Sequence, residues 1–379
     1  MSVGVRNGRI DLLRGVSILL VLLHHFNIVY SLDDTLLSRI LGWDAVHAVV
    51  RNGNYAVTMF FVVSGFLITS NAQARWGDLG RIDARVFYSL RIARIIPCLL
   101  LLLAVVNALA GLGLGVFGNH PEGGPPVSFW LVDFASLTFW MNVLMATPAG
   151  WVNYALGVLW SLSVEEVFYL SFPVACLILR RPALLAALWA VFIVIGPIWR
   201  ALHQDDEAQF LYAYLASFDG IAIGCCTALL MRRGLPGGAW ARVVQPFVVL
   251  AMAVLYLAAS IAVTNVYGVT LMALGTAVLL IGAHYRPQGS PAARSRVLAA
   301  LGWCGRLSYE LYLFHLIVLG LIRTAFPDDQ VVGDEKLMLL AAFLALSVGL
   351  AATIATTFSE PLNRTLRSSL GATRAIATA

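Results

Sequence analysis

Charge is what this chain has least of. Asp, Glu, Lys and Arg make up 12% of its 379 residues, about half the share of an ordinary soluble domain. Hydrophobic residues reach 60% and mean hydropathy is +0.84, which excludes a water-soluble globule and points to a polytopic membrane protein. Cysteine supplies no framework. The five present (Cys98, Cys176, Cys225, Cys226 and Cys304) are odd in number, form no CxxC pair and sit in or beside apolar stretches, as small buried hydrophobes do. The spacings HxxH, HExxH and Cys/His sets are missing, so no metal site is expected, and the absence of GxSxG removes the nucleophile elbow of serine hydrolases. The glycines between 111 and 126 match no phosphate-cradling pattern. No cleavable signal peptide is expected, because Asp11 and Arg14 interrupt the first apolar run and no small-residue cleavage site follows it.

What the chain does have is a series of apolar runs long enough to span a bilayer, near 10–30, 54–71, 95–115, 157–179, 183–199, 209–231, 243–262, 268–284, 307–325 and 337–357. A weaker stretch over about 128–146 contains Asp133 and is read as re-entrant or lying on the outer surface. With the N-terminus inside, 19 of the 25 basic residues fall in inner segments. Five, Arg39, Arg51, Arg200, Arg323 and Lys336, fall outside, and Arg14 alone lies within the first helix. Acids collect outside, as in Asp205-Asp206-Glu207. This asymmetry follows the positive-inside rule. The expectation is therefore an all-α transmembrane bundle of about ten helices with both termini cytoplasmic, multi-pass in an inner or plasma membrane. The basic balance reflects orientation, not a nucleic-acid partner. Residues 1–363 are expected to form the membrane domain and 364–379 a short, disordered cytoplasmic tail, with no appended soluble domain expected.

Ionisable groups inside such helices are costly and mark function. Arg14 and His25 stand eleven residues apart, within about 20° of three full helical turns, so they share one face at a separation of about 16 Å. His24 is swung off that face. Arg91 and Arg94, three apart, form one face at the start of the third span, where forked guanidinium donors suit a phosphorylated ligand as well as they suit topology anchoring. Glu165 and Glu166 lie about two turns below the outer end of the fourth span, a depth that matches His25, so a carboxylate there is placed to orient or charge the imidazole. His315 reads as a satisfied interhelical donor, Asp219 as ambiguous, and Ser64 with Gly65 as a small-residue packing site. Trp130, Trp140 and Trp151 in the surface stretch 116–156 suit either a sugar platform or interface anchoring.

Five ordered motifs then carry a resemblance: Ile10-Asp-Leu-Leu-Arg-Gly15 with His25 closing Arg-x10-His; Phe61-Val-Val-Ser-Gly-Phe-Leu-Ile-Thr69; Arg91-x-x-Arg94 before Pro97; Trp160-Ser-Leu-Ser-Val-Glu-Glu166; and Ser308-Tyr-Glu-Leu-Tyr-Leu-Phe-His315. From about Arg9 to Arg364 the chain resembles the acyltransferase family 3 membrane proteins, which include O-antigen and nodulation-factor acetylases and macrolide acylases. The resemblance implies transfer of an acyl group, commonly acetyl, from cytoplasmic acyl-CoA to a hydroxyl of a glycan or similar cell-envelope or secreted acceptor. Many members carry an additional outer hydrolase-like domain, so a separate outer-side transferase is a possible partner. The doubled His24-His25 departs from the motif, and helical phase selects His25.

In the mechanism this implies, His25, Arg14, Glu165 and Glu166 are catalytic, and Arg91 and Arg94 bind the CoA phosphates. Arg14 guides the pantetheine arm or polarises the thioester carbonyl. His25 acts as general base or as nucleophile. Acyl-CoA (acetyl-CoA) enters as donor substrate, and no permanently bound cofactor is expected. The rival reading is a proton-coupled transporter or flippase of a glycan or lipid intermediate, with His25, Glu165, Glu166 and Asp219 as its relay.

Overall fold

In hydrocarbon no water is available to satisfy backbone N–H and C=O groups, so long apolar runs have the helix as their stable form. A computed structural model of the protein describes residues 7–120, 125–147, 152–234, 238–284 and 295–369, which are helical with no strand among them. The long helices are α1 (Gly8–Val29), α2 (Gly53–Trp76), α3 (Ala84–Gly111), α4 (Leu159–Leu179), α5 (Pro182–Leu202), α6 (Tyr214–Arg232), α7 (Gly238–Ala258), α8 (Ile261–His284), α9 (Arg296–Arg306), α10 (Ser308–Ala325), α11 (Glu335–Ile354) and α12 (Glu360–Ser369).

Among the described residues, eight helical stretches are long and apolar enough to cross a membrane, or nine if α9 and α10 count as one broken span. All ten expected runs are helical. The tenth, Val243–Ala258 within α7, is apolar but shorter than a full crossing. The stretch around Asp133 breaks into two short helices, Phe129–Leu137 and Met141–Met145. Nine residues of helix reach only about 14 Å, less than half a bilayer core. The break between them falls at Phe139, whose φ of 61° lies in the left-handed region that a residue with a Cβ rarely adopts. The tail begins as helix α12, and residues 370–379 lie outside the described residues.

The chain divides into two compact units. The first comprises residues 1–24, 47–82 and 174–308. Its tightest pairing is α2 against α6, and two glycines make it possible. A Cβ on Gly65 would run into the Ile221 carbonyl, and one on Gly224 into the Val62 carbonyl. With no side chain in the way the backbones pack closely, as small residues allow between membrane helices. Val62, Val63, Phe66, Ile223, Ala273 and Leu280 then close one core cluster. The second comprises residues 25–46, 83–173 and 309–379. Here Phe87 of α3 stacks on Phe172 of α4 at 5.8 Å, and Phe26 on Phe343 of α11 at 5.7 Å. In the same unit Lys336, in the first turn of α11, meets Asp34 at 2.8 Å, and Arg39 meets Asp334 at 2.9 Å.

Arg200 departs from its expected place. The charge count put it in an outer loop, but α5 continues past it to Leu202. Its guanidinium meets Asp219 of α6 at 2.7 Å with both side chains fully buried. The Thr270 hydroxyl donates to the same carboxylate at 2.9 Å, and the Gly220 amide donates to its other oxygen. The Ala216 carbonyl accepts from the guanidinium as well. One pair therefore ties α5, α6 and α8 of the first unit. Asp219, a member of the relay in the transporter reading, is occupied by this structural contact.

Breaking such a pair leaves one buried charge alone, a loss of about 3–5 kcal/mol. Arg200→Leu and Asp219→Leu are each expected to lower the thermal unfolding temperature of the detergent-solubilised protein sharply. The double variant Arg200→Met/Asp219→Leu should recover most of that loss.

Candidate active site

Helix α1 is continuous from Gly8 to Val29 and carries Arg14, His24 and His25 as expected. The two adjacent histidines have different neighbours. The His24 ring nitrogen Nδ1 donates to the Val50 carbonyl at 2.9 Å, a contact inside the first unit. His25 belongs to the second unit, where its Nδ1 lies 3.0 Å from Nε2 of His315 on α10. The sequence put Glu165 or Glu166 beside His25; the partner found at its Nδ1 is His315.

The geometry of the two rings settles their proton arrangement. His315 places its own Nδ1 2.9 Å from the Leu311 carbonyl. A carbonyl only accepts, so that nitrogen carries the hydrogen. His315 is fully buried, where a charge is expensive, and in the neutral ring Nε2 is then bare. It accepts the Nδ1 hydrogen of His25, so in the neutral His25 ring Nε2 is the nitrogen that carries no hydrogen. The backbone of α10 thus fixes a tautomer two rings away. Tyr312 and Phe343 flank His315, at centroid distances of 6.1 and 6.5 Å. Tyr312 is itself held by the Ser161 hydroxyl of α4 at 2.6 Å.

A second cluster lies between α3 and α4. The Arg91 guanidinium sits 3.8 Å above the Tyr169 ring, a cation–π contact. The Tyr169 hydroxyl donates to Glu165, one helical turn before it on α4. Glu165 and Glu166 both act electrostatically on Arg91. Glu166 is 5% exposed, and its Oε1 has no hydrogen-bond partner. Arg91, Glu166 and Tyr169 line a cavity of about 320 Å³.

The two arginines of the RxxR motif differ in setting. Arg91 is half-buried and engaged, whereas Arg94, one turn on, is exposed, with the Tyr309 ring 5.7 Å from its guanidinium. Beside it, the Ser359 hydroxyl donates to Glu310 Oε1 at 2.7 Å. Ser359 ends a five-residue π-helical turn, Ala355–Ser359, that joins α11 to α12. Such wide turns cluster at functional sites. Arg14 sits half-buried on α1 in the first unit.

Among the described residues no group of three His, Cys, Asp or Glu side chains could hold a metal ion. The five cysteines are free thiols, with Cys98, Cys176 and Cys225 buried. Trp130 is 85% exposed, and Trp151 lies outside the described residues. The sequence reads His315 as a satisfied interhelical donor, and the structure has it bonded between helices, to His25; Tyr169 and Ser359 the sequence passes over. The Glu165–Tyr169 spacing of one turn was a signal for the first of these. The π turn that places Ser359 leaves no mark in the local sequence.

Three relatives are similar over much of this chain. The peptidoglycan O-acetyltransferase OatA of Listeria monocytogenes is 24% identical over 239 residues, 58% of this chain and 33% of that protein. The protein named "Putative peptidoglycan O-acetyltransferase YrhL" of Bacillus subtilis is 26% identical over 335 residues, 82% of this chain and 48% of its own. "Putative O-acetyltransferase SACOL0978" of Staphylococcus aureus is 24% identical over 343 residues, 85% and 52%. The chain thus spans from a third to about half the length of these relatives. No solved structure matches it. The family described as "Acyltransferase domain" matches residues 7–358, and with these helices and this match the chain belongs to the acyltransferase 3 family of multi-pass membrane proteins.

Proposed function

We propose that the protein is an O-acyltransferase that moves an acyl group, acetyl in the first instance, from cytoplasmic acyl-CoA to a hydroxyl of a glycan or similar cell-envelope acceptor. The observation that carries this reading is the His25–His315 pair, in which a hydrogen-bond chain ending on the Leu311 carbonyl puts the His25 hydrogen on Nδ1 and makes Nε2 the basic nitrogen of the ring. A basic imidazole nitrogen takes a proton from an alcohol or attacks a thioester carbon. The relatives' printed names, which specify O-acetyl transfer and in two cases peptidoglycan, support acetyl and a glycan.

In this reading Arg94, exposed, meets the CoA phosphates, and Arg91 backs it from its seat over Tyr169. Glu165 and Glu166 balance the Arg91 charge and hold it in place. Arg14, about 16 Å from His25 along α1, guides the pantetheine arm of the donor. The acceptor oxygen attacks the thioester carbonyl carbon and the C–S bond breaks. The proton that His25 removed from the hydroxyl passes to the departing thiolate. In the alternative order His25 carries the acyl group itself as an acyl-imidazole. His315 is a positioning residue in both.

Purified protein in nanodiscs, given radiolabelled acetyl-CoA without acceptor, tests the reading. His25→Ala should lower CoA release or protein labelling by about a hundredfold or more, while His24→Ala retains it. Label on the protein identifies the acyl-imidazole route; CoA release without label identifies the base. Arg91→Ala/Arg94→Ala should raise the KM for acetyl-CoA by about tenfold or more, the order of one lost charge-assisted contact. A wild-type protein that neither binds nor turns over acetyl-CoA or a longer acyl-CoA overturns the proposal.

The positioning role has its own signature. His315→Leu should cut kcat on the order of tenfold, the value of one hydrogen bond in a dry site, at unchanged KM. His315→Gln, whose amide oxygen still accepts from His25, should recover most of it. Equal losses in both variants mean that His315 only packs.

A further inference from the structure

The cavity between α3 and α4 has features that a phosphate clamp does not use. Its volume, about 320 Å³, is at the lower end of the range for small-molecule sites. Its walls are apolar and aromatic, among them Phe87, Ile96 and Phe139. Phe139 reaches the lining from the break between the two short helices, where its left-handed backbone is a conformation that surrounding structure must hold in place. Two other lining residues, Ile92 of α3 and Leu170 of α4, are 52% and 49% exposed. Both helices have the length and composition of membrane spans. An exposed apolar side chain on such a helix faces lipid, and Ile92 lies on the turn of Arg91 and Arg94 where the span begins, so the mouth of the cavity opens onto lipid near one edge of the bilayer.

The polar groups of the lining are accounted for, with one exception. The Tyr88 hydroxyl is spent on the Leu170 carbonyl at 2.7 Å. The Arg91 guanidinium is stacked on Tyr169 with its charge balanced by Glu165 and Glu166, and the Tyr169 hydroxyl is spent on Glu165. The exception is Glu166, 5% exposed, whose Oε1 is buried without a partner. A buried oxygen in that state costs free energy until a donor reaches it.

We infer that this cavity is a binding site for a bilayer-resident lipid alcohol, whose alkyl chain fills the apolar walls and whose O–H donates to Glu166 Oε1. The chemistry separates this ligand from its competitors. The alkyl tail of an acyl-CoA has no donor to offer that oxygen, and a fatty-acid anion, which only accepts, has none either. A polar solute has no route through a mouth lined by Ile92 and Leu170. The inference concerns binding alone and holds whether or not the protein transfers acyl groups.

The test uses the full chain in nanodiscs and three photoactivatable diazirine probes: a long-chain primary alcohol, its methyl ether, and the fatty acyl-CoA of the same chain length. After irradiation, labelled peptides are mapped by mass spectrometry. The alcohol should label peptides covering 87–96 and 166–170 about tenfold more than the ether, which lacks the donor. Glu166→Leu should erase that preference without lowering labelling by the ether. Ile92→Trp and Leu170→Trp, one on each side of the mouth, should each reduce labelling by both probes, with size-exclusion profiles as the folding control. Equal labelling of the wild type by alcohol and ether overturns the inference, and so does a preference that survives Glu166→Leu. Stronger labelling of these peptides by the acyl-CoA probe than by the alcohol also overturns it. Because the readout is labelling and not turnover, failure here leaves the acetyl-CoA experiment unaffected, and failure there leaves this site standing.

Discussion

In a medium without water every polar group has to be answered from within the protein, and the arrangement of this chain follows from that constraint. It accounts for the helices, since a helix pairs its own backbone. It accounts for the Arg200–Asp219 pair, in which one guanidinium and one carboxylate, both fully buried, also engage Thr270, Gly220 and Ala216. It also identifies the places where function is to be sought. Among them is Glu166, one oxygen of which is buried without a hydrogen-bond partner inside a cavity.

The His25–His315 contact shows how little is needed to prepare a reactive group. The chain of hydrogen bonds begins at the Leu311 carbonyl and runs through His315 to His25. A single acceptor in the helix backbone determines which nitrogen of His315 is protonated, and that determines the same for His25. A carboxylate in the position of His315 would also fix the tautomer, but it would favour the charged imidazolium and so withhold the lone pair. A second imidazole orients without charging. Arg91 receives a comparable treatment from Tyr169, whose ring holds the cation by its face while its hydroxyl is directed to Glu165.

Much of this was legible in the residues. Apolar runs located the helices because length and hydropathy are local properties, and the phase of Arg14 and His25 separated His25 from His24 because helical rotation is fixed per residue. What escaped was non-local. Arg200 looked like a loop cation because α5 was taken to end at residue 199, and nothing near it announces Asp219 nineteen positions on. His315 lies 290 residues from His25, so its role as an orienting partner exists only in the folded chain. The depth match of Glu165 and Glu166 compares positions along helix axes and does not reach the Glu165–Tyr169 and Arg91–Tyr169 contacts. Phe139 is a backbone feature with no composition signal, since a phenylalanine in a left-handed conformation is chosen by its surroundings.

The wide turn at Ala355–Ser359 has a consequence for how the end of the chain is read. A π-helical turn holds one residue more than an α-helical turn, so the stripe of side chains on α12 is offset by about 100° from the stripe that α11 would have continued. A face traced along α11 cannot be carried forward by counting. Ser359 reaches Glu310 from this offset frame. A residue gained or lost at that point leaves the connection of the two helices intact and changes the compass bearing of everything beyond it.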